Sequence, residues 1–237
     1  MAPSGACPQI QPAMSESTHK FTFSLTHCYL EMARAAAGPL SFHHPTGDLR
    51  QVVDTYGHNP IASAILAVVS VVVVYSYLAI ESFINYQLYR VWETRADATV
   101  ESERFLRLLG DAPSFDRYRT HSRVRDLGER IKVLCEIKGY RKPHEAIPTQ
   151  WQQFKELAEA SRHFLVHPVP EPGHFQRVMK RVLHESSTGR YPGLAVALIG
   201  FFYDHARTER PEWLSRNTLI RLRGIDVLPT DAETNPA

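Results

Sequence analysis

The sequence has little cysteine, and its three cysteines, Cys7, Cys28 and Cys135, form no CxxC pair. Zinc ribbons and dithiol redox sites use such pairs, and a disulfide framework needs an even number, so neither class is indicated. The N-terminus also lacks the basic and then apolar pattern of a secretory signal peptide. These absences predict a reducing, intracellular setting, and we expect the protein to be cytoplasmic.

An excess of charge of one sign is also missing. Lysine and arginine total 27 against 25 aspartate and glutamate, which gives a net charge of +2. This balance does not by itself indicate a nucleic-acid-binding protein, so any basic surface has to come from local clustering. The sequence also has no Gly-rich phosphate loop, no Ser-His-Asp order and no paired-carboxylate motif. The enzyme classes that use these motifs therefore have no support in the sequence.

Apolar residues recur at i, i+3 and i+4 along most of the chain, and this spacing predicts an all-α fold. Val124, Leu127, Ile131 and Leu134 are one example. Prolines separate the helical segments, as in a bundle with loops of moderate length. The predicted helices cover residues 61–92, 101–109, 123–137, 149–166, 175–185, 194–205 and 213–222.

The composition divides the chain into four parts. Residues 1–18 are rich in Pro, Ser and Ala and are predicted to be a disordered tail, and residues 226–237 a second one. Residues 19–60 form an N-terminal extension of uncertain structure, in which the pattern indicates an alternating start followed by a short helix ending near Ala37. Residues 61–225 form the main helical domain with its C-terminal helices.

The longest apolar run, Ile61 to Ile80, contains twenty residues without a charge. At about 1.5 Å per residue it is long enough to cross a bilayer of roughly 30 Å. The helical pattern continues through Glu81 to Trp92, however, and the first arginine after the run is Arg90, whereas a membrane span more often ends at clustered positive charge. We favour a buried central helix, and the alternative is a single-pass membrane protein anchored by Ile61 to Ile80.

The segment Arg162-His-Phe-Leu-Val-His167, followed by Pro168, is the most informative motif. On an α-helix two residues five apart point about 140° away from each other. Pro168 restricts His167 to non-helical backbone geometry, so the imidazole can turn toward Arg162 at the end of the helix. The two side chains can therefore share one pocket.

This motif resembles the active-site signature of HEPN domains, in which an arginine and a histidine are separated by four to six residues. His163 occupies the position where that family commonly carries Asn, Asp or His. The segment Tyr77 to Asn85, with Glu81, resembles the family's first core helix and its acidic residue. The resemblance covers roughly residues 60 to 170 and implies an HEPN-like helical bundle.

The resemblance implies metal-independent RNA cleavage of the kind found in toxin-antitoxin and phage-defence systems. His167 would act as the acid/base on the ribose 2′-hydroxyl, and Arg162 would bind the phosphate as charge develops. Glu81, His163 and Asn85 would be supporting polar groups. No metal or other cofactor is expected. The implied partners are RNA, a second copy of the chain in a homodimer and, in a toxin-antitoxin system, an antitoxin protein.

A non-catalytic HEPN-like interaction or RNA-binding module is the alternative function. In that case Arg162 pairs with an acidic neighbour such as Glu159 or Glu81, and His167 interacts with the carbonyls at the helix end. The structural role of Glu81 and Asn85 is also open. Burying both unpaired would be costly, so either Glu81 orients Arg162 or the two side chains satisfy each other.

A metal site is a weaker alternative. His163 and His167 are four residues apart, a spacing that can bind zinc from one helix face. No HExxH glutamate accompanies them. Cys28, Cys135 and His174 would have to be brought to the pair by the fold.

A basic stretch follows the motif. Arg177, Lys180 and Arg181, flanked by His174 and His184, recur at helical spacing. They are candidate RNA-binding residues because a row of cations on one helix face can neutralise successive phosphates. A helix face that is merely exposed to solvent has the same pattern.

Overall fold

The computed structural model describes residues 25–37, 60–121, 124–159, 172–187 and 189–215, with the side chains of residues 60–63, 159, 172–178 and 187 left out of the description. Every regular element in these ranges is a helix, which confirms the predicted all-α class. The predicted tails, 1–18 and 226–237, lie outside the described residues, as does most of the 19–60 extension.

The helices are numbered here in chain order. They are α1 (residues 25–37), α2 (Pro60–Glu93), α3 (Val100–Leu109), α4 (Phe115–Arg119), α5 (Leu127–Lys138), α6 (Pro143–Ala146), α7 (Pro148–Glu159), α8 (Pro172–Ser187), α9 (Arg190–Ala206) and α10 (Glu212–Ser215).

Helix α2 is the central element, and α3, α5, α7, α8 and α9 all pack against it. Its 34 residues span roughly 50 Å at about 1.5 Å per residue. Leu66, Val69, Val73 and Ile80 are buried at spacings of three, four and seven, so one face of the helix is covered along its length. The apolar spacing that predicted a long helix thus corresponds to a packed face.

The opposite flank of α2 is less covered. Ala64 and Ala67 are exposed, and Val71, Val74 and Leu78 are only half-buried. By length and composition Ala64–Glu93 could cross a membrane, and 39% of its most apolar 18-residue window is buried in the protein. A core helix of a soluble protein meets the same criteria, so the choice between core helix and anchor stays a hypothesis.

Local caps set the bounds of α5. The Asp126 carboxylate accepts a hydrogen bond from the Gly128 amide at 2.7 Å, so the helix begins at Leu127. The predicted start at residue 123 is therefore wrong. Gly139 ends the helix with φ +70°, a left-handed conformation that glycine adopts without steric cost.

The other predicted helices agree with the structure within a few residues at their ends. The helix expected over 149–166 is confirmed as far as Glu159, and the one expected over 213–222 as far as Ser215; beyond these points both lie outside the described residues. Two short helices, α4 and α6, were not predicted. Each has at most five residues, too few for a periodic pattern.

Helix α1, the described part of the N-terminal extension, is joined to the last described helix, α10. Arg34 donates hydrogen bonds to the carbonyl oxygens of Trp213 and Leu214, each at 2.9 Å. It also forms an ion pair with Glu31 at 2.7 Å, and the His27 ring stacks on Trp213 at a centroid distance of 5.4 Å. The extension therefore contributes to the folded body through this helix.

Candidate functional site

A buried polar cluster lies between α2 and α5. Arg130 of α5, whose side chain is 7% exposed, donates from Nη2 to Glu81 Oε1 at 2.7 Å. Its Nη1 donates to Asn85 Oδ1 at 2.5 Å. Arg130 thus bridges the two polar side chains of α2, which lie one turn apart on the same face. Of the two alternatives that the sequence left open, the direct Glu81–Asn85 interaction is replaced by this bridge, and an interaction of Glu81 with Arg162 stays a prediction because Arg162 lies outside the described residues.

Arg130 was not singled out from the sequence, although a signal was present. It follows Leu127 by three residues and precedes Leu134 by four, so it lies on the apolar stripe of α5. A charged residue on such a stripe needs a partner, because an unpaired buried charge is unstable. The carboxylate and amide on α2 meet this requirement, since the planar guanidinium can bind two acceptors at once.

Tyr118 adds an aromatic hydroxyl to the surroundings of Arg130. Burial raises the pKa of Tyr118, and the nearby positive charge of Arg130 opposes that rise only in part. The phenol therefore stays neutral at physiological pH. Neither Tyr118 Oη nor Arg130 Nε has a hydrogen-bond partner among the described residues. The cluster thus contains two buried polar atoms that make no hydrogen bond to the described residues.

The predicted catalytic residues Arg162 and His167, together with His163, lie outside the described residues, so their mutual geometry stays a prediction. The helices on either side of the segment are described. Helix α7 ends at Glu159 and α8 begins at Pro172, and both pack against α2 and α9. The motif therefore lies on a connection between two helices that share the same two neighbours.

The basic residues after the motif are not equivalent. Arg181 is 52% exposed and forms an ion pair with Glu156 of α7, and the hydrogen bond to Glu156 raises the pKa of Arg181. Lys180 is half-buried, and the Arg177 side chain lies outside the described part. The Arg181–Glu156 pair joins α7 to α8 across the segment that carries the motif. A role for the three residues in RNA binding stays a prediction.

Metal ligands do not cluster in the described part of the chain. In these ranges no group of three or more His, Cys, Asp or Glu side chains could hold a metal ion. Cys28 is exposed and Cys135 is buried, and burial raises the pKa of the Cys135 thiol to about 12. The zinc alternative stays untested, because His163, His167 and the side chain of His174 lie outside the described part.

Comparison of the chain with protein-family models, with curated proteins and with solved structures found no match. The resemblance to HEPN domains therefore depends on the Arg162 to His167 motif, on the segment around Glu81 and on the order and separation of these two segments in the sequence.

Proposed function

We propose that the chain is an HEPN-like endoribonuclease that cleaves RNA without a metal ion. One observation carries the proposal: the segment with Arg162 and His167 joins α7 and α8, and both helices pack against α2, the helix with Glu81. A motif of the HEPN type thus belongs to an all-α body whose central helix has the expected acidic residue.

The two side chains suit the reaction. His167 would take the proton of the ribose 2′-hydroxyl, since an imidazole titrates near neutral pH. The 2′-oxygen then attacks phosphorus to form a 2′,3′-cyclic phosphate, the bond to the 5′-oxygen of the next nucleotide breaks, and this oxygen would take up the proton held by His167. Arg162 would stabilise the charge on the phosphoryl oxygens. DNA lacks the 2′-hydroxyl and would not be cleaved.

The supporting residues have distinct parts in this proposal. Glu81 and Asn85 hold α2 against α5 through Arg130, and this bridge would keep the central helix fixed beneath the site. His163 would be a polar neighbour of the pair. The protein would act as a cytoplasmic homodimer in which two motifs face one cleft, in a toxin-antitoxin or defence system.

An RNA-cleavage assay with purified full-length protein tests the proposal. Arg162→Ala and His167→Ala should each lower the rate by at least about 100-fold, the usual contribution of an acid/base group. Arg125→Ala and His144→Ala, which change exposed residues of the same types, should leave the rate unchanged. Equal cleavage by the Arg162→Ala/His167→Ala double variant and the wild type would overturn the nuclease assignment. Binding of RNA without cleavage by the wild type would favour a non-catalytic module instead.

A membrane anchor is the second candidate, because the flank of α2 with Ala64, Ala67 and Val71 is not fully covered. Cell fractionation distinguishes the two. Protein that stays in the membrane pellet after an alkaline wash would support the anchor. Protein that is soluble without detergent would rule it out.

A further inference from the structure

A cleft of about 240 Å³ opens beside the central helix, lined by residues of α2, α5 and α9 and of the loops that follow α5 and α9. Four aromatic rings line it. Phe83 and Phe202 are buried, with ring centroids 5.7 Å apart. Tyr140 and Tyr203 are half-buried and contact these two rings, Tyr140 with Phe202 at 6.3 Å and Tyr203 with Phe83 at 5.8 Å. Because Phe83 and Phe202 are only 2% and 5% exposed, Tyr140 and Tyr203 supply most of the aromatic surface that a ligand in the cleft could contact.

Polar groups complete the lining. Lys138 is occupied, since its Nζ donates to Glu101 at 2.6 Å. Thr208 Oγ1 donates to the Tyr203 carbonyl at a long 3.5 Å. Gln87 is half-buried, and no described residue hydrogen-bonds to its amide. Because an amide both donates and accepts, Gln87 can bind the polar edge of a flat ligand.

Exposed cations are neighbours in the chain of residues that line the cleft. Arg141 and Lys142 directly follow Tyr140, and Arg207 lies between the lining residues Ala206 and Thr208. No ion pair joins these three cations to a carboxylate of the described residues. Of the acidic groups nearby, Glu101 is bound to Lys138 and Asp204 to Arg210, and Glu209 is the exposed acid next to Thr208. The surroundings of the cleft therefore favour an anion.

We propose that this cleft binds one nucleotide of a single-stranded RNA, with the base against the rings of Tyr140 and Tyr203, Gln87 on the base edge and Arg141 and Lys142 on the phosphates. Base–aromatic stacking is favourable and tolerates any base. The volume lies below the roughly 300–1,000 Å³ of pockets for larger ligands, so it suits a single ring system. The choice of RNA as the ligand class rests on the proposed function, whereas the cleft and its cations do not.

The test is fluorescence anisotropy of a labelled single-stranded oligoadenylate RNA with the full-length His167→Ala protein, in which the strand would stay intact. Tyr140→Leu should weaken binding about 10-fold because the stacking surface is lost, whereas Tyr140→Phe keeps the ring and should bind like the parent. Gln87→Leu is a second variant at the cleft and should also weaken binding.

Salt dependence separates charge from stacking. Replacing both Arg141 and Lys142 by alanine should lower the slope of log affinity against log salt concentration by about 1.4, since each phosphate contact on a single strand contributes roughly 0.7. The matched pair Arg117→Ala and Lys155→Ala removes the same charge from exposed positions elsewhere and should leave the slope unchanged. Tyr140→Leu should lower the affinity and leave the slope as it is.

The cleft assignment would be overturned if Tyr140→Leu and Gln87→Leu both left the affinity for RNA unchanged. It would also be overturned if the Arg117/Lys155 control lowered the salt slope as much as the Arg141/Lys142 variant. Failure of the cleft proposal can be distinguished from failure of the ribonuclease proposal. If the cleft variants weaken RNA binding but the wild type cleaves no RNA, the cleft stands and the ribonuclease proposal fails. If cleavage depends on Arg162 and His167 while the cleft variants bind normally, the reverse holds.

Discussion

Arg34 and Trp213 are 179 residues apart in the chain, yet Arg34 Nη1 donates to the Trp213 carbonyl at 2.9 Å. The same guanidinium neutralises Glu31, whose carboxylate is 1% exposed and keeps one oxygen without a hydrogen-bond partner. One side chain thus joins the first and last described helices and balances a buried charge.

Replacing Arg34 by alanine should lower the free energy of unfolding by about 3 kcal/mol, because Glu31 would be left buried without its counter-charge. Amide hydrogen exchange should also accelerate in Glu212–Ser215. Urea denaturation and exchange mass spectrometry measure the two effects. Arg119→Ala breaks an exposed ion pair with Asp116 and should cost below about 1 kcal/mol. Similar losses in the two variants would contradict the role of Arg34.

Arg130→Met should destabilise the protein by about 2 kcal/mol, since it removes the donor that satisfies Glu81 and Asn85. The effect is below that of a fully buried pair because Glu81 is 26% exposed. Adding Glu81→Gln should recover part of the loss, as the remaining charge disappears. Thermal melts test this, with Lys132→Met as the control for the exposed Lys132–Glu129 pair. If Lys132→Met were as destabilised as Arg130→Met, the role of Arg130 as the partner of Glu81 and Asn85 would be refuted.

Stability should fall as the pH rises above about 9. Burial raises the pKa of Cys135 from 9.0 to about 12 and that of Tyr203 from 10.0 to about 12. The unfolded chain therefore loses these protons first, binds fewer protons than the folded state, and gains relative stability with increasing pH. Cys135 alone contributes a slope of up to about 1.4 kcal/mol per pH unit, and below pH 9 its contribution is constant.

Urea denaturation at several pH values between about 8 and 11 measures this slope. Cys135→Ala should reduce it even though the variant is less stable overall, because the titrating thiol is gone. Cys28→Ala changes an exposed thiol and should keep the slope of the wild type. A slope that does not change in Cys135→Ala would show that this thiol titrates alike in both states.

The native thiols should also differ in alkylation. At pH 8 only about 10⁻⁴ of the Cys135 side chains would be thiolate, and the sulfur is buried as well. Iodoacetamide should therefore modify Cys28 in the folded protein and Cys135 only after denaturation, as peptide mass spectrometry would report. Comparable native rates at the two positions would contradict the burial of Cys135.

The helices were predictable from the sequence because each carries its own apolar stripe. The long run from Ile61 needs no information from elsewhere in the chain to form a helix. Its buried face was not predictable from spacing, because Ala64, Ala67 and Val71 on the less covered flank are apolar as well. Short elements such as α4 have too few residues for a period. They are defined by caps instead, as where the Ser114 hydroxyl accepts from the Arg117 amide at 3.2 Å.

The partners of polar residues were less predictable. Glu81 was expected to need a partner, but Arg130 lies 49 residues away, and no local pattern selects it from the other arginines. Arg181 was interpreted from its own helix face, and its pairing with Glu156 depends on how α8 is placed against α7. Arg162 and His167 remain predictions of the motif alone.

The position of α2 in the chain has a consequence for biosynthesis. Its partners α8 and α9 are translated on the order of 100 residues later, which takes roughly 10 s at about 10 residues per second. During this interval the 34-residue helix has left the ribosome, but α8 and α9, two of the helices that cover it, do not yet exist. The part of α2 that α8 and α9 cover in the folded protein therefore stays uncovered in the nascent chain until the last third of the sequence has been made.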